Sequence, residues 1–160
     1  KLRAITDDIY DDLDPSWSTD GRTLYFSSNR PNATLPAPQI DWEQHMAYFD
    51  LFSINVASQG DLSRITKTPL VNERNPRMAE AGKLVYVSDE SGIFNFYQIN
   101  PSNNSFRALS NLSAGVESYS ISDYQMVVAS PLAGKNNLFL ISKDDLIASR
   151  TPHPTLLRLD

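Results

Sequence analysis

The chain has 160 residues, of which 41% are hydrophobic and 10% aromatic, a composition typical of a globular domain with one substantial core. Its formal net charge is −5 and its 14 lysines and arginines are scattered singly, which argues against nucleic acid and anionic membrane surfaces as partners. Cysteine is absent, which excludes disulfides and thiolate metal sites. No apolar stretch is long enough to span a bilayer, so direct membrane insertion is not expected.

The first six residues, Lys-Leu-Arg-Ala-Ile-Thr, match two later segments, 61–66 and 105–110. Each later segment ends a group of short apolar stretches, so we predict that the chain starts on the closing strand of a preceding unit. An acidic cluster follows, consisting of Asp7, Asp8, Asp11, Asp12 and Asp14. Asp11, Asp12 and Asp14 offer the hard oxygen ligands of a Ca²⁺ site, but the glycine and glutamate of an EF-hand are missing. The favoured interpretation is a solvated connection that binds no cofactor.

A repeat dominates the rest of the chain. Asp14–Arg30 reads DPSWSTDGRTLYFSSNR, and weaker copies follow at 75–88 and 117–130. After each copy comes a second apolar segment, at 50–55, 95–100 and 137–142. These segments are short, rich in aromatic and β-branched residues, and bounded by Gly, Asn, Asp and Ser, which is typical of strands. Four strands in about 40 residues, repeated in tandem, indicate β-propeller blades.

The apolar runs also predict burial. Residues 24–26, 84–87 and 126–129 are apolar without alternation, which favours strands covered on both faces. Trp17 is expected in the core, because Met78 and either Tyr119 or Ser120 occupy comparable places in the other copies.

The first unit carries an insertion. Twenty-one residues separate Ser28 from Asp50, whereas six separate the equivalent residues of the other two units. Long loops on a compact scaffold are usually functional or disordered. The insertion, residues 31–49, contains three prolines and then side chains of the kinds found in interface hot spots: Trp42, His45, Met46 and Tyr48. A partner-binding loop and a loop that folds back over its own blade edge explain this pattern equally well.

A second candidate site follows from the repeat. Asp14, Asn75 and Glu117 occupy equivalent positions just before the innermost strands, which predicts a polar ring at one mouth of a central channel. Such a ring holds either a polar ligand or ordered water. No catalytic residues and no metal site are expected, since the two histidines lie 108 residues apart and neither a Gly-x-Ser-x-Gly nor a His-Glu-x-x-His motif is present.

The segment Pro15–Arg30 resembles the WD40-like (PD40) repeat of TolB-type β-propellers, whose usual pattern is Pro-x-Trp-Ser-Pro-Asp-Gly-Lys, an apolar strand and Ser-x-Arg. Thr19 stands where that pattern has proline. Residues 5–16 are also similar to a phrase that recurs in the propellers of Bacteroidetes envelope proteins. The resemblance implies a periplasmic or cell-envelope location.

We therefore predict an all-β fold, a partial β-propeller of about three four-stranded antiparallel blades plus a leading outer strand. The expected parts are a closing strand at 1–6, a blade at 14–67, a blade at 75–111, and a degenerate blade with a tail at 116–160. The rest of a longer parent chain, or a second copy, is needed to complete the propeller, since three blades alone would expose apolar faces.

The predicted function is a protein-interaction or scaffolding module without catalysis of its own. One alternative, also drawn from resemblance, is the substrate-gating propeller of a larger peptidase of prolyl-oligopeptidase or tricorn type. A second alternative is a propeller that binds sugars or other small ligands.

Overall fold

The structure, a computed structural model, describes residues 1–34, 48–58, 61–80, 82–122, 125–142, 145 and 152–155. Eleven strands in this part of the chain form three antiparallel sheets, each joined in sequence order. The chain divides into two compact units, Lys1–Pro76 and Arg77–Asp160. No helix in the described ranges is long and apolar enough to cross a membrane.

The first sheet has four strands in the order β1-β2-β3-β4. Their bounds are β1 Asp12–Trp17, β2 Thr23–Ser28, β3 Asp50–Asn55 and β4 Leu62–Arg64. The turn between β1 and β2 is closed by the Asp20 carboxylate, which accepts from the Ser18 hydroxyl at 2.6 Å and from the Arg22 N–H at 3.1 Å. Gly21 takes a φ of 67° there, a conformation that side chains disfavour. The turn chemistry thus fixes the pairing of the two strands.

The second sheet repeats this order as β5-β6-β7-β8. Its strands are β5 Glu73–Glu80, β6 Lys83–Ser88, β7 Asn95–Asn100 and β8 Ser105–Ala108. The third sheet has three described strands, β9 Ser118–Ile121, β10 Gln125–Leu132 and β11 Lys135–Ser142, with β11 at an edge. The predicted repeat of antiparallel sheets is therefore present.

The repeat is also visible in the backbone. Asp14 in β1 and Asn75 in β5 both have a φ of 56°, and each precedes a proline. Asp and Asn tolerate this left-handed region better than other side chains do. At Asp14 the pairing of β1 with β2 shifts register between Leu13 and Ser16, which marks a β-bulge. Both residues lie inside their strands, not just before them as the sequence suggested.

Apolar packing joins the second and third sheets. Val85, Val87 and Phe96 pack with Tyr119, Met126 and Val128 in one buried cluster. The rings of Phe96 and Tyr119 meet edge to face at 5.0 Å, a favourable aromatic geometry. A smaller cluster in the first sheet contains Phe26, Phe52, Ile54 and Leu62.

The burial predictions had mixed outcomes. Residues 84–87 in β6 are all buried, as predicted, and β2 becomes buried only from Phe26 onward. For β10 the prediction was wrong: Met126 and Val128 are buried, but Val127 between them is exposed. The reason is that one face of the third sheet joins the core, while no described residue covers the other face.

Trp17 is a second correction, since its side chain is 52% exposed and does not lie in the core. Tyr119, at a comparable place in the third sheet, is buried because the second sheet lies against it. No described residue covers Trp17 in the same way. The sequence pattern showed which residues face a neighbouring sheet, but not whether another described sheet covers them.

Residues 1–6 do not form a strand with any described residue. A closing strand pairs with the third strand of its own sheet, which for this segment would belong to the preceding unit, so its predicted role stays a prediction. The tail predicted after the degenerate blade lies mostly outside the described residues.

Candidate functional site

Three arginines connect the first sheet to the acidic segment before it and to the ends of the insertion. Arg30 lies just beyond β2, Arg64 ends β4 and Arg74 is the second residue of β5. Together they face four carboxylates, those of Asp8, Asp12, Asp14 and Asp50. We call the three arginines and these four carboxylates the arginine network.

Arg30 is the centre of this network, and its side chain is fully buried. Its Nη2 lies 2.7 Å from both carboxylate oxygens of Asp12, and its Nη1 lies 3.0 Å from Asp8 Oδ2. Its Nε donates to the Ser28 hydroxyl at 3.0 Å. The guanidinium also lies 5.7 to 5.9 Å from the centres of three aromatic rings, those of Tyr10, Phe26 and Phe52. Ion pairs and rings together thus satisfy this buried cation.

The ion pairs of Arg30 and two further hydrogen bonds fix the segment before β1. The Tyr10 N–H donates to Asp8 Oδ1 at 3.1 Å, and the Asp11 N–H donates to Asn29 Oδ1 at 3.0 Å. Residues 8–12 are therefore held against the end of β2 by side-chain contacts at three points.

Arg64 holds the beginning of the insertion. Its Nη1 donates to the Pro31 carbonyl at 2.7 Å and its Nε donates to the Thr66 carbonyl at 3.0 Å. Its Nη2 forms an ion pair with Asp50, the first residue of β3. Burial raises the pKa of the Asp50 carboxyl above its ordinary value, although Arg64 opposes that shift.

Arg74 holds the end of the insertion. Its guanidinium lies 4.8 Å from the centre of the Phe49 ring, and its Nε donates to Asp14 Oδ2 at 2.6 Å. The Glu73 N–H donates to the Phe49 carbonyl at 2.7 Å, and the Phe49 N–H donates to Asn72 Oδ1 at 3.3 Å. The last residue of the insertion is therefore bound to the start of β5 through backbone and side chain.

Asp14 is the one residue of the predicted polar ring that also belongs to this network. Its Oδ2 accepts from Arg74, from the Asn75 N–H at 3.2 Å and from the Ser27 hydroxyl at 3.2 Å. Burial alone would raise the pKa of Asp14, but the hydrogen bond and charge of Arg74 outweigh it and hold the pKa below its ordinary value. Asp14 is thus an ionised anchor for two residues of β5.

The other ring residues are placed as follows. Asn75 contacts Asp14 through its backbone N–H, whereas Glu117 lies beside the third sheet, where its N–H donates to the Ala129 carbonyl at 3.0 Å. A ring formed by all three side chains stays a prediction.

The acidic cluster is not simply a solvated connection, as the sequence had suggested. Asp8 and Asp12 pair with Arg30, and Asp14 pairs with Arg74. Asp7 and Asp11 are exposed. Across the described ranges, no group of three or more His, Asp or Glu side chains is arranged to hold a metal ion.

Most of the predicted partner-binding residues, Trp42, His45 and Met46, lie outside the described residues. Tyr48 is described, and its side chain is 42% exposed directly before the anchored Phe49. The sequence pattern did not reveal the arginine network, although Arg30 ends the Ser-x-Arg pattern and the five aspartates of the acidic cluster lie upstream of β2. Because the charges are far apart in sequence, nothing in the one-dimensional pattern paired them.

Comparison with known proteins shows the fold. No family model matches the chain, and no curated protein sequence matches it. TolB from Agrobacterium tumefaciens is similar in structure, with a TM-score of 0.66 and 16% identity over 89% of this chain and 49% of that one. TolB from Acinetobacter baumannii gives a TM-score of 0.60 at 12% identity, over 86% of this chain and 31% of that one.

A puromycin-hydrolyzing peptidase from Mycobacterium tuberculosis is also similar, with a TM-score of 0.63 at 16% identity, over 84% of this chain and 21% of that one. The chain therefore spans about half the length of these neighbours or less. Its sheets have the fold of the TolB-like β-propellers, which confirms the resemblance seen in Pro15–Arg30.

Proposed function

We propose that this chain is a non-catalytic protein-interaction module of a larger bacterial cell-envelope protein, and that the insertion 31–49 contacts the partner. The observation that carries the proposal is the anchoring of the insertion at both ends. Arg64 binds the Pro31 carbonyl and Arg74 lies against the Phe49 ring. A loop with fixed ends loses less conformational entropy on binding than a free loop does.

Two further points support the proposal. Tyr48 leaves much of its ring open to contact beside the anchor at Phe49. The three arginines are engaged with carboxylates, so they position the loop and do not offer free cationic chemistry. The envelope location comes from the resemblance to TolB-type propellers alone.

A binding experiment tests the role of the insertion. Envelope extracts are cross-linked to the chain, the captured protein is purified, and its affinity is measured by calorimetry. Because aromatic anchors often contribute 2 kcal/mol or more, we expect the variant Trp42→Ala/Tyr48→Ala to bind at least about tenfold more weakly. Its Tm should stay within about 2 °C of the wild type.

Trp17→Ala is the matched control, because Trp17 is an aromatic side chain of similar exposure outside the insertion. It should leave the affinity unchanged. Equal binding by all three proteins would reject the insertion as the contact segment. A large loss of Tm in the double variant would instead show that Trp42 and Tyr48 pack against the fold.

One observation favours a second candidate, an accessory propeller of a peptidase. The Mycobacterium tuberculosis peptidase contains a region that resembles this chain and that makes up 21% of its length. If the parent protein is such an enzyme, deletion of residues 32–47 from it should change cleavage of long peptides more than cleavage of short ones. Equal effects on both would argue against a gating role.

A further inference from the structure

The turn between β1 and β2 contains a chemically reactive pair of residues. Asp20 is followed by Gly21 in the only Asp-Gly pair of the chain, and the chain has no Asn-Gly pair. The backbone nitrogen that follows an aspartate can attack the carbon of its side-chain carboxyl. Glycine hinders that attack least, because it has no side chain. Asp20 is also exposed, so water reaches it. Sequence and exposure together identify a candidate site of spontaneous modification.

The reaction has two steps and needs no reagent other than water. In the first, the Gly21 nitrogen loses its proton and bonds to Cγ of Asp20, while the carboxyl loses a hydroxyl group. One water leaves and a five-membered succinimide ring remains. In the second, water adds to the ring and opens it. Cleavage of the bond between the nitrogen and Cγ restores aspartate, whereas cleavage at the main-chain carbonyl gives isoaspartate.

In the folded turn both reacting groups are held in other hydrogen bonds. Oδ1 of Asp20 accepts from the Ser18 hydroxyl at 2.6 Å and from the Arg22 N–H at 3.1 Å. The Gly21 N–H donates to the Ser18 carbonyl at 2.9 Å. Attack requires the nitrogen to give up that proton and the carboxyl to leave its two donors, so three hydrogen bonds oppose the first step.

These hydrogen bonds also keep Asp20 in its less reactive form. A nucleophile adds to a neutral carboxyl group far more readily than to a carboxylate, whose negative charge repels it. The hydrogen bond from Ser18 and then that from the Arg22 N–H hold the pKa of Asp20 below its ordinary value of 3.8. The neutral acid is therefore scarcer in the folded protein than in an unfolded chain at the same pH.

Ser18 is the residue that organises the turn. Its N–H donates to the Thr23 carbonyl at 2.8 Å, and its hydroxyl oxygen accepts from the Thr23 N–H at 2.9 Å. A hydroxyl group can accept one hydrogen bond while it donates another. The Ser18 side chain therefore connects the Asp20 carboxylate to the first residue of β2.

We propose that Asp20 is a site of spontaneous isoaspartate formation, and that the Ser18 hydroxyl suppresses this reaction in the folded protein. Isoaspartate adds one methylene group to the backbone and attaches the carboxylate directly to Cα. The turn then loses its contact between Ser18 and the carboxylate, which weakens the adjacent pairing of Trp17 with Leu24. Modification at this turn thus links the chemical age of the protein to the stability of its first sheet.

Timed incubation in neutral buffer tests the proposal, with peptide mapping by a fragmentation method that distinguishes isoaspartate from aspartate. Wild type unfolded in guanidinium chloride should isomerise at Asp20 at least about tenfold faster than folded wild type, because three hydrogen bonds are lost. Ser18→Ala and Ser18→Val remove the hydroxyl and should isomerise about three- to tenfold faster than wild type when folded. Ser18→Thr has the shape of the valine variant but keeps the hydroxyl, so it should match the wild type.

Ser58→Ala is the matched control at another turn, because the Ser58 hydroxyl donates to Asp61 Oδ2 at 2.9 Å. Leu62 follows that aspartate, so this variant should form no isoaspartate there and should leave the rate at Asp20 unchanged. Equal rates at Asp20 in folded and unfolded wild type would overturn the proposal. So would a valine variant with native circular dichroism that isomerises no faster than the threonine variant. If the alanine variant does not fold, the valine and threonine pair decides.

Discussion

Replacing Arg30 by Met tests whether the buried cation holds the acidic segment to the first sheet. Methionine keeps much of the side-chain volume but removes the charge and all five donor N–H groups. The carboxylates of Asp8 and Asp12 would then lose the guanidinium that lies 3.0 and 2.7 Å away. The Ser28 hydroxyl would lose the Nε donor.

The structure sets the size of the effect. Removing one partner of a buried ion pair costs about 3 to 5 kcal/mol of unfolding free energy. The lower end applies here, because the Asp12 side chain is 18% exposed and water can partly solvate it. For a chain of this size, about 3 kcal/mol corresponds to a fall in Tm of about 6 to 12 °C. The loss of cation–π contact with three rings acts in the same direction.

Urea denaturation of a double-mutant cycle gives the measurement. The cycle contains Arg30→Met, Asp12→Asn and the double variant, and we expect a coupling energy of about 1 to 3 kcal/mol between the two positions. Arg22→Met is the control, since Arg22 is exposed in the turn after β1 and its loss should change stability by less than about 0.5 kcal/mol. A loss below about 1 kcal/mol for Arg30→Met, or zero coupling with Asp12, would refute the role assigned to the network.

Two further predictions concern titration. Asp14 has a folded-state pKa below its ordinary value of 3.8, so its stabilising effect is present above that pH and is lost as the pH falls through the folded-state pKa. The variant Asp14→Asn removes the charge, and asparagine is already found at the same φ at position 75. This variant should therefore flatten the acid limb of a plot of unfolding free energy against pH. An unchanged acid limb would contradict the contact between Asp14 and Arg74. Burial, aided by the charge of Glu90, raises the pKa of Tyr97 to about 12. Ultraviolet titration should show a phenol that ionises at about pH 12 and that disappears in Tyr97→Phe, and a curve unaltered by that substitution would contradict its assignment to Tyr97.

The regular part of the fold could be predicted from sequence because strand signals are local. The apolar segments at 50–55, 95–100 and 137–142 became β3, β7 and β11, the last starting two residues earlier. What the sequence did not predict was which faces of each sheet are covered. Trp17 and Val127 are exposed because burial depends on a neighbouring sheet, and a local pattern does not show which neighbours are present.

The candidate site was predicted less well, for a different physical reason. Aspartates 8, 12 and 14 were visible as a cluster, but their cations stand 18 to 60 residues further along the chain. A run of carboxylates alone suggests either a solvated loop or a cation site. The pairing of β1 with β2 brings Arg30 to Asp8 and Asp12, and the position of β5 brings Arg74 to Asp14. Only these three-dimensional contacts show that arginines, and not a metal ion, neutralise the cluster.

The anchors at Pro31 and Phe49 separate the residues that stabilise the fold from the residues that would contact a partner protein. The Pro31 carbonyl and the Phe49 ring bind arginines that have their own carboxylate partners, Asp50 and Asp14. Those ion pairs lie outside the insertion, so a change of sequence between the two anchors leaves them in place. Length and composition there can vary at low energetic cost, as is general for surface loops with fixed ends. If the insertion contacts a partner as proposed, selection for partner binding would act on residues 32–48, while selection for stability acts on the arginines.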